Sequence, residues 1–580
     1  MATESEEARG EGFVYEKGKA PPRVTTWERV LEFNVKAFAA CVFALMGWEL
    51  WSWEGQYPHL YMLAALLFAG GAFISVDAGG VLLGEWRKQN AFNKVWAEAA
   101  RSDTAQFLST EKLEAAGCYE GGRLIGIDFN GRPLFSPTRI EQSHSIVIAS
   151  AGSGKTSCGV LPSLISLAHE MKAGAKISTF VCDSKDGEIV AQMAPMLDEL
   201  GIEYAILDDY DVMKGHPKRV SMNPFGELIR VKKEEPRSFA DMVSSAMFTL
   251  HPSPPDDGGK NEYFYDSARG RGDVIIHDVA NMEGVTLHPG AIWTILSDPD
   301  LYEERLIHIA NNGDVAQQGV AKKILQYMED KHEHEAAHVG AAMQAFSAFA
   351  AGSWLYDLVP ENGPLPVLEH RDLMRRPMML FIVGRADQAT RAKAYFGLHL
   401  QAAMHAQTVM PRHIVHYIAE EAANTPLKEM TTKLQLLRGQ GARIMIVATS
   451  EAGLQIAYGA LATRVIMHEA VVKQYFSFTS YQEAKAVSDA LGQRVVIKPS
   501  LSQSSDKSSY GTSWSLSREP MYPVDRLMSM PSDYQIIHIG RLGFILCLKC
   551  HSSHIGPYAA QLGRNRVEDK DAVVNIKFNL

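Results

Sequence analysis

Ser145-Ile146-Val147-Ile148-Ala149-Ser150-Ala151-Gly152-Ser153-Gly154-Lys155-Thr156 reads as a short apolar strand running straight into a loop of small residues that ends in Gly-Lys-Thr. Small residues let successive backbone N–H groups converge on an anion. The apolar helix that follows, Val160-Leu161 to Leu164-Ile165, presents its positive end to the same point. In this pattern Lys155 reaches the outer phosphates of a nucleoside triphosphate and the Thr156 hydroxyl sits on Mg2+. The expected cradle is Ala149, Ser150, Ala151, Gly152, Ser153, Gly154, Lys155, Thr156 and Ser157, with ATP and Mg2+ as ligands. An ordinary Gly/Ser turn is the bland alternative, and the apolar runs on both sides argue against it.

At 580 residues the chain is too long for one core, and more than one domain is expected. A net charge of -10 argues against a broad basic surface built for nucleic acid, although a narrow channel needs only local positive charge. Six cysteines without a regular framework point to a reducing compartment. Two mainly apolar stretches, Phe33 to Trp53 and Leu60 to Leu83, each approach the ~20 residues a helix needs to cross a bilayer.

The turn between them, Gly55-Gln56-Tyr57-Pro58, has no Lys or Arg, whereas Lys17, Lys19, Arg23 and Arg29 precede the pair and Arg87, Lys88 and Lys94 follow it. The positive-inside rule then keeps both ends in the cytoplasm. Trp48, Trp51, Trp53, Tyr57 and Tyr61 gather around the turn as an interfacial belt would. A buried helical hairpin is the competing reading, since Lys36, Glu49 and Asp77 are costly in lipid; Lys36 and Glu49 sit near enough to the ends to snorkel. No small-residue cleavage site follows the first apolar run, which argues against a removed leader.

Beyond the hairpin, residues 84–115 read as a polar helical connector, and Gly121 to Pro137 as a small β-hairpin leading to the strand at Ser145. Ile177 to Cys182 is a second strand, followed by Asp183-Ser184-Lys185-Asp186-Gly187-Glu188. Strands alternating with helices imply a parallel sheet whose ligands bind beyond the carboxyl ends of the strands, which places Asp183 among the nucleotide contacts. From Lys232 to Leu358 the periodicity is helical, broken by the loop from His251 to Gly259. Strand signals resume at Met378 to Val383, His413 to Ile418 and Arg443 to Ala448, while the Ser-rich stretch Ser500 to Ser517 reads as an exposed loop. The boundaries implied are 1–30, a cytoplasmic segment; 31–84, the membrane hairpin; 85–231 and 359–580, two parts of a nucleotide-binding domain; and 232–358, an all-helical domain between them.

The strand ending at Ile418 runs into Ala419-Glu420-Glu421-Ala422-Ala423-Asn424. In P-loop ATPases one carboxylate here supports the Mg2+ shell and another orients the attacking water; Glu420 is assigned to the metal and Glu421 to the water. Acidic residues also favour helix starts, the competing explanation. Arg438 precedes the next strand and is a candidate to reach a neighbouring subunit's nucleotide, with an ordinary surface arginine as the alternative.

The phosphate loop, Asp183-x-Lys185, Asn223-Pro224-Phe225, the helical insertion, the acidic pair with Ala423-Asn424, Leu437-Arg438-Gly439, the segment Glu483 to Gly492, and Arg518-Glu519-Pro520-Met521 through Met530-Pro531 occur in an order that resembles the type IV secretion coupling proteins of the TraG/TraD type. The resemblance covers nearly the whole chain. It implies a RecA-like α/β P-loop NTPase domain, an inserted all-α domain, an N-terminal two-helix transmembrane hairpin and a hexameric ring at the bacterial inner membrane. It further implies partners in a secretion channel, and substrates that are effector proteins or relaxase–DNA complexes. The chain departs from the family in Glu420, where Asp is usual, in Thr449-Ser450, where Gln is frequent, and in one extra residue before Glu188. Those departures keep a docking platform with a structural nucleotide in contention, and a DNA-translocating motor of the chromosome-segregation kind is a third reading.

Two further patterns compete for attention. His334-Glu335-Ala336-Ala337-His338 matches a zinc-protease motif but sits in a charged helical run. Cys547-Leu548-Lys549-Cys550-His551 with His554 matches zinc or haem signatures, yet Phe544 to Leu548 reads as a strand, which alternates side chains rather than converging them.

Overall fold

The computed structural model describes residues 13–14, 20–22, 27–52, 60–102, 105–137, 144–254, 261–330, 332–360, 363–421, 430–503, 510–564 and 578–579. The turn Gly55 to Pro58, the part of the Pro/Gly loop after Pro254, the pair Ala423-Asn424 and positions 504–509 of the Ser-rich stretch lie outside the described residues. Two compact units emerge: residues 1–106 with 484–527, and residues 107–483 with 528–580.

In the first unit, α1 (Trp27–Trp51) and α2 (Leu60–Ala99) are each long and apolar enough to cross a bilayer, with most of the apolar surface facing outward. They pack through small residues. A Cβ on Gly71 would stand 3.2 Å from the carbonyl oxygen of Ala40, and one on Gly47 would stand 3.2 Å from the Phe68 ring. Two of the ionisable residues that weigh against a lipid setting answer one another: Lys36 Nζ lies 2.6 Å from Asp77 Oδ2, and also 2.8 Å from Glu32 Oε1.

The second helix does not stop near Leu83. It runs unbroken for 40 residues, about 60 Å at 1.5 Å per residue and roughly twice the hydrocarbon thickness of a bilayer. Its last turns bury Phe92, Trp96 and Ala99 against Val495 and Ile497.

Those two residues belong to a long antiparallel hairpin, Gln493–Gln503 with Tyr510–Pro520, so the expectation of a loop at Ser500 to Ser517 is overturned. The serines conceal a period of two, in which Val495 and Ile497 on one strand and Trp514 and Leu516 on the other mark the strand signal. Trp514 meets Phe92 edge-on, ring centroids 5.0 Å apart. Phe13–Val14 pairs on the hairpin's outer edge.

The second unit is built on a sheet that, among the described residues, has twelve strands: β1 (Leu124–Ile127), β2 (Pro133–Phe135), β3 (His144–Ile148), β4 (Ile177–Asp183), β5 (Tyr204–Leu207), β6 (Arg219–Val220), β7 (Met379–Val383), β8 (Ile414–Ala419), β9 (Ala442–Ala448), β10 (Ala470–Tyr475), β11 (Tyr534–Ile539) and β12 (Gly543–Leu548). Their order across the sheet is β2-β1-β12-β11-β10-β3-β9-β8-β4-β7-β5-β6. From β10 to β6 every neighbouring pair is parallel, and from β10 outward to β2 every pair is antiparallel. All residues of β3, β4, β7 and β9 are buried, as continuous apolar runs covered on both faces demand.

Helices α3 (Leu161–Lys172) and α4 (Glu188–Leu200) follow β3 and β4. Between β6 and β7 the chain leaves the sheet for α5 (Gly226–Glu234), α6 (Phe239–Leu250), α7 (Glu262–Asn281), α8 (Pro289–Ser297), α9 (Pro299–Asn312), α10 (Val315–Asp330) and α11 (His332–Ala345). Asn223 marks the exit. Its amide donates to the Leu287 carbonyl at 2.8 Å while its oxygen accepts the Phe225 N–H at 2.8 Å, tying the departing chain to the helical layer.

His144 fastens the start of β3. Its Nδ1 accepts the Ile444 N–H at 3.0 Å and its Nε2–H donates to the Leu434 carbonyl at 2.7 Å, so the neutral ring is fully satisfied. Burial pushes its pKa down to about 4. A depressed folded pKa means stability that is complete above the unfolded value near 6.5 and is lost as pH falls through about 4, worth up to about 3 kcal/mol. Melting temperatures of the full chain in detergent between pH 7 and pH 4 should fall less steeply for His144→Gln, whose amide can make the same two bonds without charging.

Candidate nucleotide site

The site assembles at the carboxyl ends of β3, β4, β8 and β9. Ala149 N–H still continues the ladder to the Ala448 carbonyl at 3.0 Å, and Phe476 N–H bonds the Ile148 carbonyl on the other side at 3.0 Å. The loop then turns through Gly152 and Gly154, at φ of 73° and 88°, a region where a Cβ is penalised. Lys155–Val160 forms one wide helical turn before α3 takes over, a local unwinding that recurs at functional sites. Lys155 and Thr156 are buried at its start.

Four residues of the sequence expectation come together. The Thr156 hydroxyl donates to Glu420 Oε1 at 2.6 Å, and Lys155 Nζ stands 3.5 Å from Glu421 Oε2. Glu420 has no solvent exposure, and its Oε2 has no hydrogen-bond partner within the protein. An orphaned, buried carboxylate oxygen beside a threonine hydroxyl is an all-oxygen donor pair of the kind Mg2+ takes, so these residues fit the expected ion. Glu421 sits at φ 56°, a left-handed conformation rare for a non-glycine residue. That turn aims consecutive glutamates at different partners.

Two further expected residues make other contacts. Asp183 Oδ2 accepts the N–H groups of Ile189 and Val190 at 2.9 and 3.0 Å, holding the start of α4. Its carboxyl is pushed well above the usual range by burial and by the charge of Glu420. Arg438 is exposed and precedes β9, at the end of the sheet opposite the loop, and its carbonyl accepts from Arg443 Nη1 at 3.2 Å and from the Gly441 N–H at 3.4 Å.

Other side chains join without having been assigned a role. Lys185 donates to the same Glu420 Oε1 at 3.1 Å; burial works against its ammonium, but the charge and hydrogen bond of Glu420 outweigh it and raise its pKa. The Thr449 hydroxyl donates to Glu421 Oε1 at 2.8 Å. Ser477 Oγ accepts the Ser150 N–H at 3.2 Å and lies 2.7 Å from Ser150 Oγ. From far along the chain, Lys549 Nζ donates to the Ser153 carbonyl at 3.2 Å, lying 5.0 Å from the Phe476 ring centroid, with its pKa lowered by burial. Lys185 and Thr449 stood inside recognisable motifs. Nothing in the sequence connects Ser477 or Lys549 to the loop.

The two competing motifs resolve into packing. Glu335 is gripped by the Arg271 guanidinium, Nε to Oε1 at 3.0 Å, and the His338 ring packs against Tyr263 and Phe264. Cys547 and Cys550 are buried, and burial drives both thiols toward the protonated form. Among the described residues no three His, Cys, Asp or Glu side chains gather in a way that would hold a metal ion.

Fold and site together define a RecA-like α/β fold that carries a P-loop and a helical insertion. Residues 414–532 match the family model described as the TraM recognition site of TraD and TraG. The fold is similar to that of the bacterial conjugative coupling protein TrwBdeltaN70 in its unbound monoclinic form, with TM-score 0.55 and 14% identity over 77% of this chain and 95% of that one. It is similar as well to the plasmid coupling protein TrwB in complex with ADP and Mg2+ (TM-score 0.54, 14% identity, 78% and 94% covered). A third structure, of TrwB with the ATP analogue ADPNP, gives TM-score 0.54 at 15% identity, with 77% and 95% covered. No curated protein matches the chain in sequence. The likeness to TraD and TraG in sequence is confined to residues 414–532, and the likeness to the coupling-protein structures is one of fold.

Replacing Lys549 by Met leaves the Ser153 carbonyl without its charged donor and loosens the loop. Nucleotide affinity, measured by equilibrium binding, should fall roughly tenfold, about 1.4 kcal/mol.

Proposed function

We propose that this protein is a membrane-anchored coupling ATPase of a type IV secretion system, which recruits nucleoprotein or effector-protein substrates and hands them to the secretion channel at the expense of ATP. The observation that carries the reading is the convergence of Lys155, Thr156, Glu420 and Glu421 at the carboxyl ends of neighbouring parallel strands, in a chain whose residues 414–532 match a TraD/TraG family segment. Lys155 neutralises the outer phosphates. Thr156 and Glu420 hold Mg2+, which supplies charge neutralisation at the phosphates; Lys185 fixes Glu420 in place. Glu421 orients and deprotonates the attacking water, with Thr449 fixing its second oxygen. Asp183 stiffens the neighbouring helix start beside the nucleotide.

Because Arg438 stands at the sheet end away from its own loop, its use is in trans, in a homo-hexamer where it meets the next subunit's nucleotide. The helices α1 and α2 anchor the ring in the bacterial inner membrane as a two-pass hairpin, leaving the bulk of the chain cytoplasmic. On this reading the domains run as 1–30, 31–84, 85–231, 232–358 and 359–580, and the all-helical 232–358 meets the substrate. The match to a TraM recognition site supports relaxosome components among the partners.

A docking platform that binds ATP without turning it over is the second reading, favoured by one feature: the Glu421 carboxylate is engaged by Lys155 and Thr449 at once. Phosphate release by the purified chain separates the two. Under the leading reading Lys155→Ala loses at least about a hundredfold in turnover, and Glu421→Gln loses roughly 10²–10⁴-fold while still binding nucleotide. Wild-type turnover no faster than the Lys155→Ala control supports the platform, and strong stimulation by duplex DNA alone supports a DNA-translocating motor instead.

A further inference from the structure

Asp183 ends β4 and Glu420 follows the last residue of β8, and the parallel pairing of Cys182 with Ala419 sets the two carboxylates side by side at the carboxyl edge of the sheet. Both side chains are fully buried. Glu420 Oε1 accepts the Thr156 hydroxyl at 2.6 Å and the Lys185 ammonium at 3.1 Å, while Asp183 Oδ2 accepts the Ile189 and Val190 N–H groups at 2.9 and 3.0 Å. Each carboxylate is thereby satisfied on one oxygen. The other oxygen of each, Glu420 Oε2 and Asp183 Oδ1, has no hydrogen-bond partner among the described residues.

A buried acceptor left without a donor is costly, and two of them at neighbouring strand ends call for one explanation. Holding the start of α4 accounts for Oδ2 of Asp183 alone. Asn or Ser would serve that purpose equally well and would bury no second carboxylate oxygen. Glu420 Oε2, beside Thr156, is the oxygen that fits Mg2+. In the strand order β3-β9-β8-β4, β4 stands one strand beyond β8 from the phosphate loop, a further step of about 4.8 Å. At that remove a carboxylate serves the ion through water, since Mg2+ keeps several of its waters in protein sites and a metal-bound water turns its hydrogens outward.

We propose that Asp183 is a positioning residue of the divalent-cation site: its Oδ1 accepts a hydrogen bond from a water carried by the cation that Thr156 and Glu420 hold, and so fixes that cation beside the triphosphate. The inference rests on the reading of Ala149 to Ser157 as a nucleotide cradle. It gives the Asp183 carboxylate two tasks, one for each oxygen, and ties the geometry of the cation to the position of α4.

The test measures binding of ADPNP to the full-length chain in detergent micelles by equilibrium dialysis, once with excess Mn2+ and once with EDTA, so that the ratio of the two affinities reports the cation's contribution. Asp183→Asn and Asp183→Ser each keep an acceptor for the start of α4. Both variants should therefore retain the metal-free melting temperature and the affinity in EDTA. In the first an amide donor meets the water's hydrogens, and in the second the hydroxyl stops short, so the Mn2+ enhancement should fall roughly tenfold or more in each. An undiminished enhancement in both variants overturns the proposal. So does a loss of equal size with Mn2+ and with EDTA, the result of a purely structural role. A wild-type chain that binds ADPNP no better with Mn2+ overturns the metal assignment of Thr156 and Glu420 as well, and one that binds no ADPNP overturns the nucleotide reading itself. No turnover is read, so the outcome is independent of whether the site hydrolyses ATP.

Discussion

Glu420 Oε1 accepts both the Thr156 hydroxyl and the Lys185 ammonium in a place that water does not reach, and three stretches of chain meet there. Thr156 comes from the loop after β3, Lys185 from the turn after β4, and Glu420 itself from the end of β8, two strands away from β3 with β9 between. Breaking a buried charged cluster by removing one member costs about 3–5 kcal/mol, so the carboxylate fixes the relative heights of these three segments as firmly as any part of the core. Substituting the shorter Asp would draw the oxygen back by about one carbon–carbon bond, and either the threonine or the lysine would lose contact. The glutamate at this position is thus matched to its surroundings. Glu421, turned by its left-handed backbone, is left to face Lys155 and Thr449.

Similarity in fold at 14% sequence identity is intelligible from how such a sheet is stabilised. Strands buried on both faces ask only for apolar residues of about the right volume, a demand many sequences meet. Polar residues are constrained where the strands end. Asn223 at the exit to the helices, His144 at the start of β3 and the two glutamates after β8 each satisfy a specific donor or acceptor that the sheet itself leaves open. Glu420 and Thr449, the departures noted in the sequence, sit at the same places.

Much of the sheet and the heart of the site were legible because they are local in sequence. An apolar run before Gly-x-Gly-Lys-Thr, and another before two consecutive glutamates, carry their meaning within ten residues. What escaped were contacts between distant segments. Lys549 reaches Ser153 across the whole core, and it sits in a Cys-x-x-Cys frame that draws the eye to metal chemistry instead. Ser477 is one hydroxyl just beyond a strand. Asp183 was placed at the correct end of β4, but which of several nearby N–H groups it would bond depends on where α4 begins, and an extra residue before Glu188 sets that. The hairpin spanning 493–520 was hidden by composition, since serine obscures an alternation that one hydrophobic pair on each strand is enough to establish.

The hairpin that covers the far end of α2 bears on how the protein is made. Phe92 and Trp96 find their partners in Val495, Ile497 and Trp514, about 400 residues later in the chain. At roughly 5–20 residues per second, a ribosome would deliver α2 some tens of seconds before it delivers the strands that shield these rings. For that interval the helix carries two uncovered aromatic side chains, and ten of the sheet's twelve described strands, β1 to β10, are synthesised in between. The first unit therefore closes late, because this hydrophobic surface is covered only once the chain has been translated through residue 520.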